Sequence, residues 1–137
     1  MNRNKGFTLI EMMVTVGIVA ILTSIALPSY KNYVIRGHMT DAFNVLASYR
    51  ISMEQSFQNN NTYGAAPTCA VTVPTTDSYF AFSCLSSGVG YSAAATGQNS
   101  MHGYAFSVND AGVQATTAYV GASTLQTNCW MTNTTGC

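Results

Sequence analysis

The hydrophobic and polar positions divide the chain into an apolar segment, an amphipathic segment and a polar remainder. Residues 7–27 contain one charged residue, Glu11. A helix of this length spans about 30 Å, the hydrocarbon thickness of a bilayer. Further along, apolar residues recur every three or four positions, as on one helix face; they are Met39, Phe43, Leu46, Tyr49, Met53 and Phe57. The pattern predicts one helix from Phe7 to about Phe57, half membrane-spanning and half packed on a core.

Pro28 stands near the middle of this predicted helix. Proline removes one backbone donor and its ring clashes with the preceding turn. We therefore expect a helix break at Pro28, as a kink or a locally melted turn.

The polar remainder contains short alternating segments that are typical of strands. They are residues 78–85, 103–109 and 113–120, with residues 91–96 as a weaker candidate. The sequence Asn-Asp-Ala-Gly at residues 109–112 predicts a tight turn, so the last two segments should form a hairpin. The expected fold is α+β: a long N-terminal helix packed on a roughly four-stranded antiparallel sheet, with a disulfide-closed C-terminal loop.

These elements predict four segments. Residues 1–6, with Arg3 and Lys5, form a basic leader. The later segments are a transmembrane and polymerisation helix at 7–28, an amphipathic helix at 29–58 and a globular head at 59–137.

Charge is scarce and unevenly distributed. Charged residues make up 7% of the chain, against roughly 25% in an average soluble protein. No lysine or arginine follows Arg50. Because neutralisation of phosphates dominates the affinity for nucleic acids, a nucleic-acid partner is not expected for the head.

All four cysteines follow the apolar segment: Cys69, Cys84, Cys129 and Cys137. An even number on the far side of a membrane segment favours two disulfides in an oxidising compartment. Four cysteines allow three connectivities. We favour Cys69–Cys84 and Cys129–Cys137, because residues close in sequence can pair without long-range assembly.

Glu11 argues against two ordinary explanations of the apolar segment, a plain anchor and a secretory signal cleaved near residues 24–26. A carboxylate within a membrane helix costs about 2.5–3.5 kcal/mol on insertion scales and usually has a partner. Cleavage between Gly6 and Phe7 would create a cationic α-amino group four residues before Glu11. In a filament, Glu11 of one copy could then neutralise the Phe7 amine of another and set the register.

The string KGFTLIEMMVTVGIVAILTSIALPSY resembles the class III signal of type IV pilins. The resemblance implies that a prepilin peptidase cuts between Gly6 and Phe7, that Phe7 becomes N-methylated, and that Glu11 is the assembly carboxylate. It also implies extension of the helix near Pro28. The implied partners are other pilin subunits, the peptidase, the pilus assembly platform and the inner membrane.

The head is similar to PilE-type minor pilins of Gram-negative bacteria in the segments MEQSFQNNNTYGAAPTC, YFAFSC and GYAFSVNDAGVQAT. The resemblance makes the Cys129–Cys137 loop an exposed variable loop. The favoured function is a structural pilus subunit, more a minor than a major pilin, stored in the inner membrane with a periplasmic head and extracellular after assembly. The alternatives are an adhesin or uptake receptor, with its binding residues near Trp130, and a type II secretion pseudopilin.

The sequence offers little support for an enzyme. His38 and His102 have no neighbours at metal-ligand spacing, and phosphate-loop and hydrolase motifs are missing. We therefore expect no catalytic, cofactor-binding or metal-binding residues, and we expect His38 on the solvated side of the helix.

Overall fold

The computed structural model describes residues 6–137, so the leader with Arg3 and Lys5 lies outside the described residues. Helix α1 extends over Leu9–Asn60, and the strands are β1 (Phe80–Ser86), β2 (Tyr91–Gly97), β3 (Ala105–Asn109) and β4 (Gln114–Ala118). The chain divides into two compact units, one ending at Ile35 and one spanning Arg36–Cys137. Each unit is described separately below.

In the first unit α1 is helical throughout, including Pro28. The locally melted turn expected at Pro28 is absent from this continuous helix. A helix break at Pro28 in the assembled state stays a prediction. Thr15 and Thr23 donate their hydroxyls to helix carbonyls one turn earlier, at Met12 (2.8 Å) and Val19 (2.7 Å). Each polar group is thus satisfied within the apolar helix.

In the second unit, the predicted helix stripe forms the core. Four of its residues are buried, with Ala42 as an additional member; they are Met39, Leu46, Tyr49 and Met53. Phe43 and Phe57 are half-buried. The three-and-four spacing places these side chains on one face, and the sheet covers that face with Phe80, Ala93, Ala95, Phe106 and Val108.

The helix ends three residues later than expected, at Asn60. Asn61 adopts a positive φ of 53° and its amide donates to the Phe57 carbonyl at 2.7 Å. Asparagine tolerates this left-handed conformation, so it ends the helix.

The sheet is an antiparallel meander with strand order β1-β2-β3-β4. The predicted β3–β4 turn is confirmed, since the Gly112 amide donates to the Asn109 carbonyl at 2.9 Å and Gly112 has φ 74°. The strand starting at 78 was predicted two residues early. The Asp77 carboxylate accepts hydrogen bonds from the backbone amides of Tyr79 and Phe80. These bonds form a local turn, so the strand begins only at Phe80.

Gly97 lies close to backbone atoms of the segment that follows β2. A Cβ at this position would collide with the carbonyl oxygen of Met101 and would lie 2.8 Å from that of Tyr104. The Gly97 amide donates to the same Tyr104 carbonyl at 2.8 Å. Glycine is therefore required where β2 leads into the short 3-10 turn at Asn99–Met101.

Both favoured disulfides are present, Cys69–Cys84 and Cys129–Cys137. The first joins the loop after the helix to β1, and the second closes the C-terminal loop. The predicted pairing is confirmed.

Candidate assembly site and the surface of the head

The N-terminal end of α1 brings together the residues proposed for processing and assembly. Gly6, Phe7 and Glu11 are all exposed. The Glu11 amide donates to the Thr8 hydroxyl at 3.3 Å, so Thr8 caps the helix that begins at Leu9. Thr8 and Glu11 have the Thr-x-x-Glu spacing of a capping box, a signal that identifies Thr8 from the sequence.

The apolar segment at the start of α1 is not covered by any part of the chain that the structure describes. An 18-residue window of α1 has a mean hydropathy of 2.2 and none of it is buried. The exposed large apolar side chains include Ile10, Val14, Ile18, Ile21, Leu22 and Ile25. Exposure of such a surface to water is unfavourable, so the segment favours an apolar environment.

Trp130 packs the C-terminal loop against the rest of the second unit. Its indole is stacked on Phe43, with ring centroids 4.9 Å apart, and its Nε1 donates to the Ser107 carbonyl at 2.8 Å. The Thr116 hydroxyl donates a hydrogen bond to the Cys129 carbonyl and accepts one from the Met131 amide. The Met131 side chain is fully buried. Trp130 is therefore a packing residue, and the alternative that places binding residues near it stays a prediction.

His38 also differs from expectation. It is half-buried and stacked on Tyr79, with centroids 3.5 Å apart. The helix period alone gave no partner for His38, because Tyr79 precedes β1, far away in sequence.

The second unit is weakly acidic. The unit Arg36–Cys137 carries two arginines, Arg36 and Arg50, against four carboxylates; these are Asp41, Glu54, Asp77 and Asp110. Within residues 6–137, no group of three or more His, Cys, Asp or Glu residues could hold a metal ion.

Two tyrosines near the C-terminal end of α1 form a cluster that the sequence did not reveal. The Tyr63 hydroxyl donates to both Glu54 carboxylate oxygens, at 3.1 and 3.2 Å. The Tyr91 ring lies 4.9 Å from that of Tyr63. Its buried hydroxyl has no hydrogen-bond partner in the part of the chain that the structure describes.

Burial is the main cause that raises the pKa of both phenols, and the negative charge of Glu54 adds to it. The hydrogen bond to Glu54 further raises the pKa of Tyr63. Because the folded pKa exceeds the ordinary value of 10.0, folding favours the neutral phenol. The resulting stabilisation is complete below about pH 10 and is lost as the pH rises through the folded pKa.

We expect different effects on the free energy of unfolding from removing the hydroxyls of Tyr63 and Tyr91. Tyr63→Phe should lower the free energy of unfolding by about 1–2 kcal/mol, because it removes a bond to a carboxylate. Tyr91→Phe should leave it unchanged or raise it by about 1 kcal/mol, because an unsatisfied buried hydroxyl is costly. Urea denaturation at pH 7 and pH 10.5 measures both effects. A loss from Tyr91→Phe as large as that from Tyr63→Phe would mean that the Tyr91 hydroxyl has a partner.

Comparison with known proteins identifies the family. Residues 28–129 match the family model described as type IV minor pilin ComP, DNA uptake sequence receptor. The chain belongs to the type IV minor pilin family. Residues 1–27 of this pilin match the prokaryotic N-terminal methylation motif.

Curated relatives carry pilus-related names. The chain is 35% identical to prepilin peptidase-dependent protein D of Escherichia coli K12, over 75% of this chain and 70% of that protein. It is 39% identical to a probable minor fimbrial protein of Dichelobacter nodosus, over 45% of this chain. The pilin spans 39% of that relative's length and 41% of a fimbrial protein of Moraxella nonliquefaciens.

A solved type IV pilin from Shewanella oneidensis has the same fold. The TM-score is 0.52 at 23% identity, over 71% of this chain and 98% of that one. The predicted architecture of a long helix on a four-stranded antiparallel sheet is confirmed.

Proposed function

We propose that the chain is a structural, non-enzymatic subunit of a type IV pilus, cut between Gly6 and Phe7 and assembled through α1. The single observation that supports this most strongly is the methylation motif over residues 1–27, which leads into a helix with an apolar 18-residue window that is not buried among the described residues. We propose that a prepilin peptidase makes the cut and that the new Phe7 amine is methylated.

Glu11 is the proposed assembly residue. Cleavage removes Gly6 and leaves a cationic amine four residues before Glu11. Thr8 caps the amide of Glu11, and the carboxylate lies exposed on the first turn. In a filament core from which water is excluded, this carboxylate would pair with the Phe7 amine of a neighbouring subunit and fix its axial register.

The proposed location changes with assembly. Before assembly, residues 7–28 lie in the inner membrane and the head, residues 59–137, lies in the periplasm, where two disulfides persist. The pilus assembly platform then transfers the subunit into an extracellular filament, where α1 contacts other pilins. The names of the fimbrial relatives favour this assignment over a type II secretion pseudopilin.

Intact-mass and N-terminal peptide analysis tests the processing step. Co-expression with a prepilin peptidase should yield a chain beginning at methylated Phe7. Gly6→Leu should block the cut. Gly17→Ala should not, because an added Cβ at this helix position would have no neighbour within 4 Å among the described residues. A mature chain beginning at Leu27 would instead identify an ordinary secretory signal.

DNA uptake is a second candidate function, because the matching family model is described as a DNA uptake sequence receptor. The charge of the head argues against strong electrostatic binding, since no lysine or arginine follows Arg50. We expect weak binding to duplex DNA at every salt concentration, as measured by fluorescence anisotropy. Strong binding at low salt that collapses by about 200 mM would support the receptor instead.

Adhesion through the Cys129–Cys137 loop is a third candidate function. Substitutions of exposed residues in this loop are suited to test it. Trp130→Ala would disturb the packing on Phe43 and confuse loss of binding with loss of folding. Thr132→Ala and Thr134→Ala alter exposed side chains of the same loop and avoid this problem.

A further inference from the structure

The segment that follows the apolar run of α1 differs from it in chemistry. No aromatic residue occurs from Thr8 to Ser29, and then Tyr30 and Tyr33 follow with Lys31 between them. Tyr30 is 67% exposed and Tyr33 is 78% exposed. Two large rings therefore project from the helix immediately beyond the residues proposed to cross the membrane.

The position of these residues fits a membrane surface. From Leu9 to Tyr30 the helix rises about 32 Å at 1.5 Å per residue, close to the ~30 Å hydrocarbon thickness of a bilayer. Tyrosine is enriched at this boundary, because its ring lies among the upper acyl chains while its hydroxyl reaches water. Lysine extends its alkyl stem along the apolar region and places its ammonium near the lipid phosphates.

The helix geometry makes the two rings act together. Residues three positions apart are neighbours on a helix surface, so Tyr30 and Tyr33 share a face, and Lys31 lies in the same turn. One helical turn near the end of the first unit thus carries two amphipathic rings and one cation, all exposed.

We propose that Tyr30, Lys31 and Tyr33 form an interfacial anchor that binds the phospholipid headgroup region and holds the stored subunit at a fixed depth. The proposal rests on the proposed membrane storage of the pilin and adds its lipid contact. The two phenols set the depth at the headgroup boundary, and Lys31 adds attraction to anionic phosphates.

The test uses the full chain in nanodiscs of phosphatidylethanolamine and phosphatidylglycerol. The structure has no free cysteine among its described residues, so Asn32→Cys carries a single nitroxide label beside the tyrosines. We expect the label at the headgroup boundary. Tyr30→Ala with Tyr33→Ala should raise its collision rate with a water-soluble nickel complex by at least about twofold, because the rings no longer hold the boundary.

The matched control removes two other exposed side chains with the same spacing, Leu22 (62% exposed) and Ile25 (66% exposed). Leu22→Ala with Ile25→Ala lies within the apolar run and should change the collision rate at residue 32 by less than about 1.3-fold, since it leaves the boundary residues intact. An equal effect from both pairs would overturn the specific role of the tyrosines.

A second label separates this proposal from the membrane storage on which it depends. Ala20→Cys reports insertion of the apolar run itself. If the label at residue 20 is protected but loss of both tyrosines leaves residue 32 unchanged, the anchor is refuted and membrane storage stands. If the label at residue 20 is open to the nickel complex, membrane storage fails.

The lipid and subunit contacts are also distinguishable. Lys31→Gln should reduce the difference in label depth between nanodiscs with phosphatidylglycerol and nanodiscs of phosphatidylcholine alone. If the double tyrosine variant keeps its depth in both lipids but no longer enters filaments, the surface contacts other subunits and the lipid anchor is refuted.

Discussion

Replacing Glu11 with valine should block incorporation into filaments while membrane insertion remains normal or improves. Insertion should improve because a carboxylate in a membrane helix costs about 2.5–3.5 kcal/mol. Incorporation should fail because the Phe7 amine of a neighbour would be buried without its partner. Breaking a buried ion pair costs about 3–5 kcal/mol, equivalent to a loss of more than about 100-fold in the assembled fraction.

Two variants isolate the charge from other features of the same helix. Thr8→Ala removes the hydroxyl that caps the Glu11 amide but keeps the carboxylate. Thr15→Val removes a hydroxyl that bonds only to its own helix, at the Met12 carbonyl. Both should enter filaments at more than half the wild-type level, as measured by immunoblotting of sheared filaments against the membrane fraction. Normal incorporation of Glu11→Val would refute the register role.

Gly97→Ala should destabilise the head more than any exposed substitution. The added methyl group would collide with the Met101 carbonyl oxygen and would lie 2.8 Å from the Tyr104 carbonyl oxygen. Both obstacles are backbone atoms, so no side-chain rotation relieves the clash. We expect a loss of more than about 3 kcal/mol in the free energy of unfolding, a large share of a typical domain's stability.

Gly37→Ala is the matched control. Its added Cβ would have no neighbour within 4 Å in the described part of the chain, and alanine in a helix interior is favoured over glycine by about 1 kcal/mol. Urea denaturation followed by the fluorescence of Trp130 should therefore show stabilisation for Gly37→Ala. A Gly97→Ala variant within about 1 kcal/mol of wild type would contradict the close approach at the end of β2.

The periodic features of the sequence were sufficient for much of the fold. The stripe that includes Met39, Leu46 and Met53 repeats at the helix period, and burial of one face follows from that spacing. The turn ending at Gly112 was predictable because its residue types favour a tight hairpin. Helix and strand ends were displaced by a few residues where single side chains decide them, as Asp77 does at β1.

Contacts between distant segments were not predictable in the same way. His38 was expected on the solvated side of the helix and the loop that contains Trp130 was expected to be exposed. The structure stacks His38 on Tyr79 and Trp130 on Phe43, each a residue from a remote part of the chain. The hydrogen bond from Tyr63 to Glu54 likewise depends on how the chain turns after Asn61. Periodicity fixes the face of an element on which a residue lies, but it does not identify the partner.

The sequence identified the candidate residues of the assembly site, but not their contacts with another subunit. Glu11 is proposed because a lone carboxylate in an apolar run usually has a cationic partner, and Phe7 is proposed because a cut after Gly6 would supply that cation. The capping role of Thr8 is local and could have been read from its spacing to Glu11. The proposed partner of Glu11, the Phe7 amine, belongs to another copy, so the pairing itself stays a prediction.

Mass spectrometry of purified filaments tests the central claim most directly. Filaments sheared from cells that produce the pilin should contain this chain with methylated Phe7 at its N-terminus and with both disulfides intact. The chain found only in membranes, or found in filaments with an N-terminus other than Phe7, would contradict assembly through the processed helix.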